Sequence, residues 1–169
     1  VPNVSTTQAL VRVTDYNNGA VSDVSNAVFT ITAAVTVTSP NGSESWVGLS
    51  THLITWTQGA GVSNFWTIRY SLDAGSSWTT IISNTNITNG QYNWTLPNSP
   101  SAQCLVQVYD YQSPSCKTDN SNNLFTITAA SAIITVTSPN GAENWAGCSV
   151  HPITWTQSAT SGFFNVEYS

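Results

Sequence analysis

The chain has 169 residues, of which three are Lys or Arg and eight are Asp or Glu, for a formal net charge of −5 with 7% charged residues in all. No basic face exists to neutralise phosphates, so nucleic acid is excluded as a partner, and no apolar run approaches the ~20 residues of a membrane span. Hydrophobic content of 40%, with 11% aromatic, is enough for packed cores, so the scarcity of charge does not imply disorder. Ser, Thr and Asn supply the polar bulk, a surface chemistry associated with secreted proteins. Val1 is not an initiator and no signal peptide is present, so the start is expected to be processed or an internal cut.

Residues 1–34 read as the back end of a repeat whose complete form follows. Val1-Pro2-Asn3 matches Leu96-Pro97-Asn98, Leu10-Val11-Arg12-Val13 matches Leu105-Val106-Gln107-Val108, and the six residues from Phe29 to Ala34 return unchanged from Phe125 to Ala130. Residues 35–130 then form one whole unit. Its opening stretch, Ser39-Pro40-Asn41-Gly42-Ser43-Glu44-Ser45-Trp46, comes back as Ser138-Pro139-Asn140-Gly141-Ala142-Glu143-Asn144-Trp145. Ile54-Thr55-Trp56-Thr57-Gln58 comes back as Ile153 to Gln157, again 99 positions later, with His52 and His151 in register. Residues 131–169 therefore open another unit, and Asn165 to Ser169 echo Thr67 to Ser71. Spacing held that strictly marks a tandem array.

Within the whole unit the apolar period is two. Val35 and Val37 alternate with Thr, as do Ile54 and Trp56; Trp66, Ile68 and Tyr70 alternate with Thr67 and Arg69, and Cys104, Val106 and Val108 with Leu105 and Gln107. The runs are short, rich in β-branched and aromatic residues, and bounded by Gly, Asn, Pro or Ser, so they read as strands. About seven of them without a helical stretch predict an all-β fold, with immunoglobulin/fibronectin-like β-sandwich domains in tandem, one complete and two partial. Trp56, Trp66 and Trp94 are expected to dominate the core. Ser-Pro-Asn-Gly is expected to form the turn leaving the first strand. The junctions at Ala34 and Ala130 lack the Gly/Ser composition of flexible linkers, so neighbouring units should swing little. The 1–34 segment should supply two strands, and 131–169 three.

Ser-Pro-Asn-Gly-x-Glu-x-Trp, then His-x-Ile-Thr-Trp-Thr, then Tyr-Ser-x-Asp-x-Gly-Ser-Ser-Trp, then Tyr-x-Trp-Thr-x-Pro, resemble the Ig-like repeats of large bacterial surface and secreted proteins. They are also similar to the Kre9/Knh1-type domain of fungal cell-wall proteins. The resemblance implies an extracellular β-sandwich used as a stalk, adhesin segment or accessory module, and it carries over no catalytic residue.

Candidate chemistry is sparse. Ser71-Leu72-Asp73-Ala74-Gly75-Ser76-Ser77-Trp78 matches the Asp-box pattern of sialidase-type propellers, but the period is about double a blade's ~40–50 residues, and a structural hairpin turn is favoured. Glycoside hydrolysis needs two carboxylates ~5–10 Å apart. The acids instead recur in repeat-related pairs, Asp15 with Asp110, Asp23 with Asp119 and Glu44 with Glu143, which suits turn and strand-end hydrogen bonding. A hard cation at Asp110 and Asp119 is the minor alternative. His52 and His151 fall on the inward phase and are expected to be buried and neutral, and two equivalent histidines assemble no Ser/His/Asp set. Cys104, Cys116 and Cys148 do not follow the repeat; Cys104 is expected to be a buried thiol, with Cys116 and Cys148 open to an interdomain or intermolecular bridge. Phe65 and Tyr109 fall on the outward phase and could stack on sugars. Sequons begin at Asn3, Asn41, Asn86 and Asn93.

The sequence reading is a non-catalytic structural repeat segment of an extracellular filament, stalk or adhesin, with no catalytic, cofactor or metal residue assigned. Its partners are neighbouring repeats of the same chain or further copies of itself. The alternative is a carbohydrate-binding accessory module of a large secreted enzyme, with a surface glycan as partner; a sialidase-like enzyme is disfavoured. A window into a longer repetitive chain is favoured over a terminal half-unit completed by the next subunit's strands. Joining 131–169 to 1–34 omits a counterpart of Leu72 to Thr95 and leaves sheet edges open.

Overall fold

A strand that alternates valine, isoleucine or tryptophan with threonine has one apolar face, and that face is stable only when another sheet covers it. The computed structural model describes residues 3–160 and 162–169, so the match of Val1 and Pro2 to Leu96 and Pro97 lies outside the described residues. The N-terminal segment carries β1 (Thr6–Ala9), β2 (Arg12–Thr14), β3 (Ser22–Val24) and β4 (Phe29–Ile31). The middle segment carries β5 (Val35–Ser39), β6 (Ser45–Val47), β7 (Thr51–Gln58), β8 (Phe65–Ser71), β9 (Thr79–Asn86), β10 (Gln91–Thr95), β11 (Ser101–Asp110), β12 (Thr118–Asn120) and β13 (Phe125–Thr128). The C-terminal segment carries β14 (Ile133–Ser138) and β15 (Thr154–Ser158).

The fold is all-β, and the middle segment is an immunoglobulin/fibronectin-like sandwich. One sheet runs β10-β7-β5; the other runs β6-β13-β11-β8-β9, with β12 also on β11. All pairs are antiparallel except β13 with β6. Nine strands replace the seven expected because the first and last are each broken. After β5 the chain turns through Pro40 to Ser43, with Gly42 at φ 121° and Ser43 at φ 68°, before resuming as β6 on the opposite sheet. Between β12 and β13 the chain bends at Ser121, whose amide donates to Val106 O (2.8 Å) while its hydroxyl accepts from Val106 N (3.0 Å). That buried hydroxyl stands in for a backbone partner and keeps the ladder satisfied where the strand kinks.

The core lies between the two sheets. Val35, Val37, Ile54 and Trp56 from one meet Trp66, Ile68, Val106, Val108, Phe125 and Ile127 from the other, and each is buried. Trp56 meets Trp66 edge to face at 5.5 Å, Trp94 meets Phe125 at 6.5 Å, and Trp66 Nε1 donates to Ile87 O at 3.0 Å. The indoles thus bury their apolar area in the preferred T-shaped geometry, and Trp66 keeps its one polar atom paired.

The flanking segments repeat the same registers without the opposite sheet. Thr6 faces Ile31 and Ala9 faces Phe29 as Ser101 faces Ile127 and Cys104 faces Phe125; Arg12 faces Val24 as Gln107 faces Asn120. Ile134 faces Gln157 as Val35 faces Gln58, and Ser138 faces Thr154 as Ser39 faces Thr55. The third strand expected in 131–169 is not formed: the described residues from Gly162 to Ser169 carry no strand. Its counterpart β8 is held between β11 and β9, and 131–169 has an equivalent of neither. Likewise β6 pairs only with β13, and its counterpart around Trp145 is irregular.

Two side-chain expectations need correction. His52 is half-buried and His151 exposed, because each ring lies flat on a tryptophan, Trp46 or Trp145, at 4.3 or 4.4 Å instead of entering the core. Phe65 and Tyr109 are half-buried instead of exposed, and Tyr109 lies beneath the Arg69 guanidinium at 5.5 Å.

Because burial by the opposite sheet is what distinguishes repeat-equivalent positions, Trp56→Ala should cost roughly 3–5 kcal/mol in denaturant unfolding. Trp155→Ala, at the half-exposed counterpart of Trp56, should cost clearly less; equal losses would contradict this assignment of the core.

Candidate functional site

The donors around each carboxylate decide what that carboxylate can do. Asp110, wholly buried, closes β11. Its Oδ2 accepts from Ser63 N (2.7 Å) and its Oδ1 from Ser63 Oγ (2.6 Å) and Gln112 N (2.9 Å), with Lys117 Nζ 3.6 Å away. Burial pushes its pKa upward, but the Ser63 hydroxyl and amide, the Gln112 amide and the Lys117 charge outweigh it and hold the group below its usual range. Asp119 Oδ2 accepts from Val37 N (2.8 Å) and ties the first strand to the last. Asp15, the counterpart of Asp110, accepts from Asn17 N and Asn18 N and so does the turn half of the same work. Asp110 and Asp119 are thus occupied by separate backbone donors, and the described residues contain no group of three or more His, Cys, Asp or Glu that could hold a metal ion.

The Asp-box stretch forms a tight turn between β8 and β9. Asp73 Oδ1 accepts from Ser71 Oγ (2.7 Å) and Ser77 N (2.8 Å), its Oδ2 accepts from Ser77 Oγ (2.5 Å), and Ser71 Oγ accepts from Gly75 N (2.8 Å). Ala74 and Gly75 take left-handed φ of 56° and 91°, the geometry for which this turn needs glycine. The Ser77 hydroxyl, then Ser71 and the Ser77 amide, lower the Asp73 pKa to about 2. The carboxylate's partners are all within its own loop.

The Ser-Pro-Asn-Gly motif builds a second repeated device. Glu44 accepts from Asn41 N (2.8 Å) and Gly42 N (2.7 Å), and Glu143 from Asn140 N and Gly141 N (both 2.8 Å). Ser50 Oγ lies 2.9 Å from His52 Nε2 and Ser149 Oγ 2.8 Å from His151 Nε2. Leu49 and Cys148 occupy the same left-handed position, at φ 65° and 66°. Asn140 N leads the donors that hold Glu143 below the usual carboxylate range. A motif that repeats down to its hydroxyl–imidazole contact in both copies is a folded turn.

Three surfaces remain as interaction candidates. At the first junction Asn3 Oδ1 accepts from Ala34 N (2.6 Å) and Val35 N (3.3 Å), and Asn3 Nδ2 donates to Val35 O (3.0 Å) and Thr118 O (2.9 Å). Sequence reasoning counted Asn3 as a sequon and missed this role; its recurrence as Asn98, whose Oδ1 accepts from Ala130 N (2.9 Å), was the available signal. A shallow groove of about 460 Å³ beside β9 and β10 is lined by Tyr70, Tyr92, Thr79, Thr80, Asn93 and Thr95 among others. A third, apolar groove of about 360 Å³ lies on the open face of β14 and β15, beside Trp145, Trp155 and Phe164.

The thiols are all free. Cys104 is buried, and burial pushes its pKa up; Cys116 and Cys148 are exposed. Among the described residues no helix is long and apolar enough to cross a membrane.

No protein-family model matches the chain, and no curated protein matches it significantly. Among solved structures, a chain described under "Structures of Clostridium thermocellum CbhA fibronectin(III)-like modules" is 16% identical with a TM-score of 0.36. The likeness covers 73% of this chain and about 62% of that one.

Asp110→Asn removes an acceptor facing buried donors and should cost on the order of 1–3 kcal/mol, whereas Asp15→Asn, in an exposed turn, should stay within about 0.5 kcal/mol. Asp73 has a folded pKa below its unfolded one, so its contribution is present above about pH 4 and is lost as the pH falls toward about 2. Urea midpoints of Asp73→Asn and the parent should converge across that window; a constant gap would contradict the turn assignment.

Proposed function

We propose that this chain is a non-catalytic repeat segment of an extracellular filament, stalk or adhesin, of the kind its resemblance to Kre9/Knh1-type and bacterial surface repeats implies. The observation that carries the reading is the Asn3 bracket. One side chain ends the first repeat on Ala34, begins the second on Val35 and reaches across to Thr118. A junction held by four hydrogen bonds from a single amide restricts the angle between neighbouring units, which is what a spacer requires and a catalyst does not. The carboxylates agree with it, since Asp73, Asp110, Asp119 and Glu44 are each occupied by backbone or hydroxyl donors and hold turns in place. The partners in this reading are neighbouring repeats or further copies of the chain.

A second reading, a carbohydrate-binding accessory module, is favoured by the groove beside β9 and β10. It combines half-buried Tyr70 and Tyr92 with the hydroxyls of Thr79, Thr80 and Thr95, a mixture that suits the apolar face and polar rim of a sugar. Tyr92→Ala would abolish such binding on a glycan array, and the spacer reading expects no binding to lose.

The spacer reading is tested at Asn3. Asn3→Ala should leave the unfolding of the middle unit within about 1 kcal/mol, because its core is untouched. It should broaden the distribution of inter-unit orientations measured by small-angle scattering and residual dipolar couplings. An unchanged distribution, or hydrolysis of a glycan by the parent chain, would contradict it.

A further inference from the structure

The two junctions inside the chain are built differently. At the first, one residue serves both neighbours. The Ala34 amide donates to Asn3 Oδ1 (2.6 Å) and closes the unit behind it, while the Ala34 carbonyl accepts from Gly59 N (2.8 Å) and extends the β5–β7 ladder of the unit ahead. Val35 follows at once, bonded to Asn3 through its N (3.3 Å) and its O (3.0 Å). Gly59 permits the approach because it has no side chain. A Cβ there would stand 2.6 Å from Ala33 O and 3.0 Å from Ala34 Cα, both backbone atoms that yield only if the units move apart.

The second junction divides these duties. Asn98 is the counterpart of Asn3, and its Oδ1 accepts from Ala130 N (2.9 Å), which closes the middle unit as Ala34 closes the one before. The residue that opens the next ladder is Ile133. It faces Ser158 one step beyond Ile134 and Gln157, as Ala34 stands one step beyond Val35 and Gln58. Ser131 and Ala132 lie between Ala130 and Ile133, exposed and in no strand. Among the described residues Asn98 makes no bond to Ile134, the counterpart of Val35. Ser158 stands 99 positions after Gly59 and brings the Cβ for which the first junction has no room. The serine and the inserted residues therefore belong together, because the close approach made at Gly59 is barred to Ser158 and the extra chain supplies the separation.

We propose that Ser131 and Ala132 are a hinge, so that the array is stiff where the first repeat meets the second and bends where the second meets the third. Each of the two residues carries two soft backbone dihedrals, and neither Asn3–Val35 bond has a counterpart across them. On this proposal the small swing expected of both junctions belongs to the first alone. The segment is then a stiff pair of units with a joint after it. This goes beyond the spacer reading, which asks only that units be held apart.

The test is the width of nitroxide distance distributions from pulsed electron paramagnetic resonance of the 169-residue chain, with Cys116→Ser and Cys148→Ser removing the two exposed thiols. Thr30→Cys with Thr80→Cys spans the first junction, and Thr80→Cys with Thr156→Cys the second; all three sites are exposed on strands. The second distribution should be at least about twofold broader than the first. Deleting Ser131 to Ile133 together with Ser158→Gly rebuilds the arrangement of the first junction and should narrow the second to match it. Inserting Ser-Ala-Ile after Ala34 does the reverse: it should broaden the first distribution about twofold and leave the urea midpoint of the middle unit unchanged. Equal widths in the parent overturn the proposal, as does an insertion that leaves the first distribution narrow, or a deletion that leaves the second broad with its hairpin intact. A broad second distribution in a chain whose β14–β15 amides exchange freely overturns it too, since the width then comes from unfolding of the hairpin. Glycan hydrolysis by the parent would sink the spacer reading and leave these widths untouched.

Discussion

Everything in the structure depends on covering one apolar sheet face with another. Trp66 and Ile68 have no exposed surface because β5 and β7 lie across from them, and Val35 and Val37 are equally closed by the facing sheet. At about 25 cal/mol per Å² and roughly 150–250 Å² per indole, each buried tryptophan contributes roughly 4–6 kcal/mol before entropy is counted. The flanking segments show the same strands without that cover. Their ladders persist in the same register, since hydrogen bonds between adjacent strands are local, while Phe29 and Ile134 stay exposed because burial is not local.

Scarce charge is the second constraint. With eight acids in the chain, polar work falls to Ser, Thr and Asn, and the acids serve mainly as acceptors for stranded backbone amides. Asp110 gathers the end of β11 and the Ser63 loop, Asp119 ties β5 to β12, and Glu44 closes the turn after β5. Each is held by backbone or hydroxyl donors, with the Lys117 ammonium added at Asp110, an arrangement that stabilises the loop connections of this all-β sandwich. It also leaves none of these three carboxylates free to serve as an acid or base.

Much of this was legible because a strand's phase is written in alternation. Cys104, Val106 and Val108 face inward as their spacing requires, the all-β sandwich follows from the runs, and the repeat offsets reappear as identical strand registers. What was not legible depended on partners. No local pattern says that Asn165 to Ser169 lack a strand, since β8 is held by β11 and β9 and neither has a counterpart beside them. The histidine phase pointed inward, but a flat tryptophan beside His52 offered a stacking face before the core did. Arg69 lies over both Trp78 and Tyr109, at 5.2 and 5.5 Å, and hides a tyrosine that alternation placed outside. Asn3 was read for its sequon when its four hydrogen bonds require a neighbouring unit to exist.

The middle unit folds as a self-sufficient bead, its core closed between its own two sheets. Urea unfolding of residues 35–130 made alone, beside the whole chain, tests it most directly through tryptophan fluorescence. The excised unit should unfold cooperatively at the same midpoint as the main transition of the whole chain, apart from the small contribution of the Asn3 bracket. An excised unit that is disordered, or whose midpoint falls far below that of the whole chain, would show that the flanking segments are part of one shared core and would contradict it.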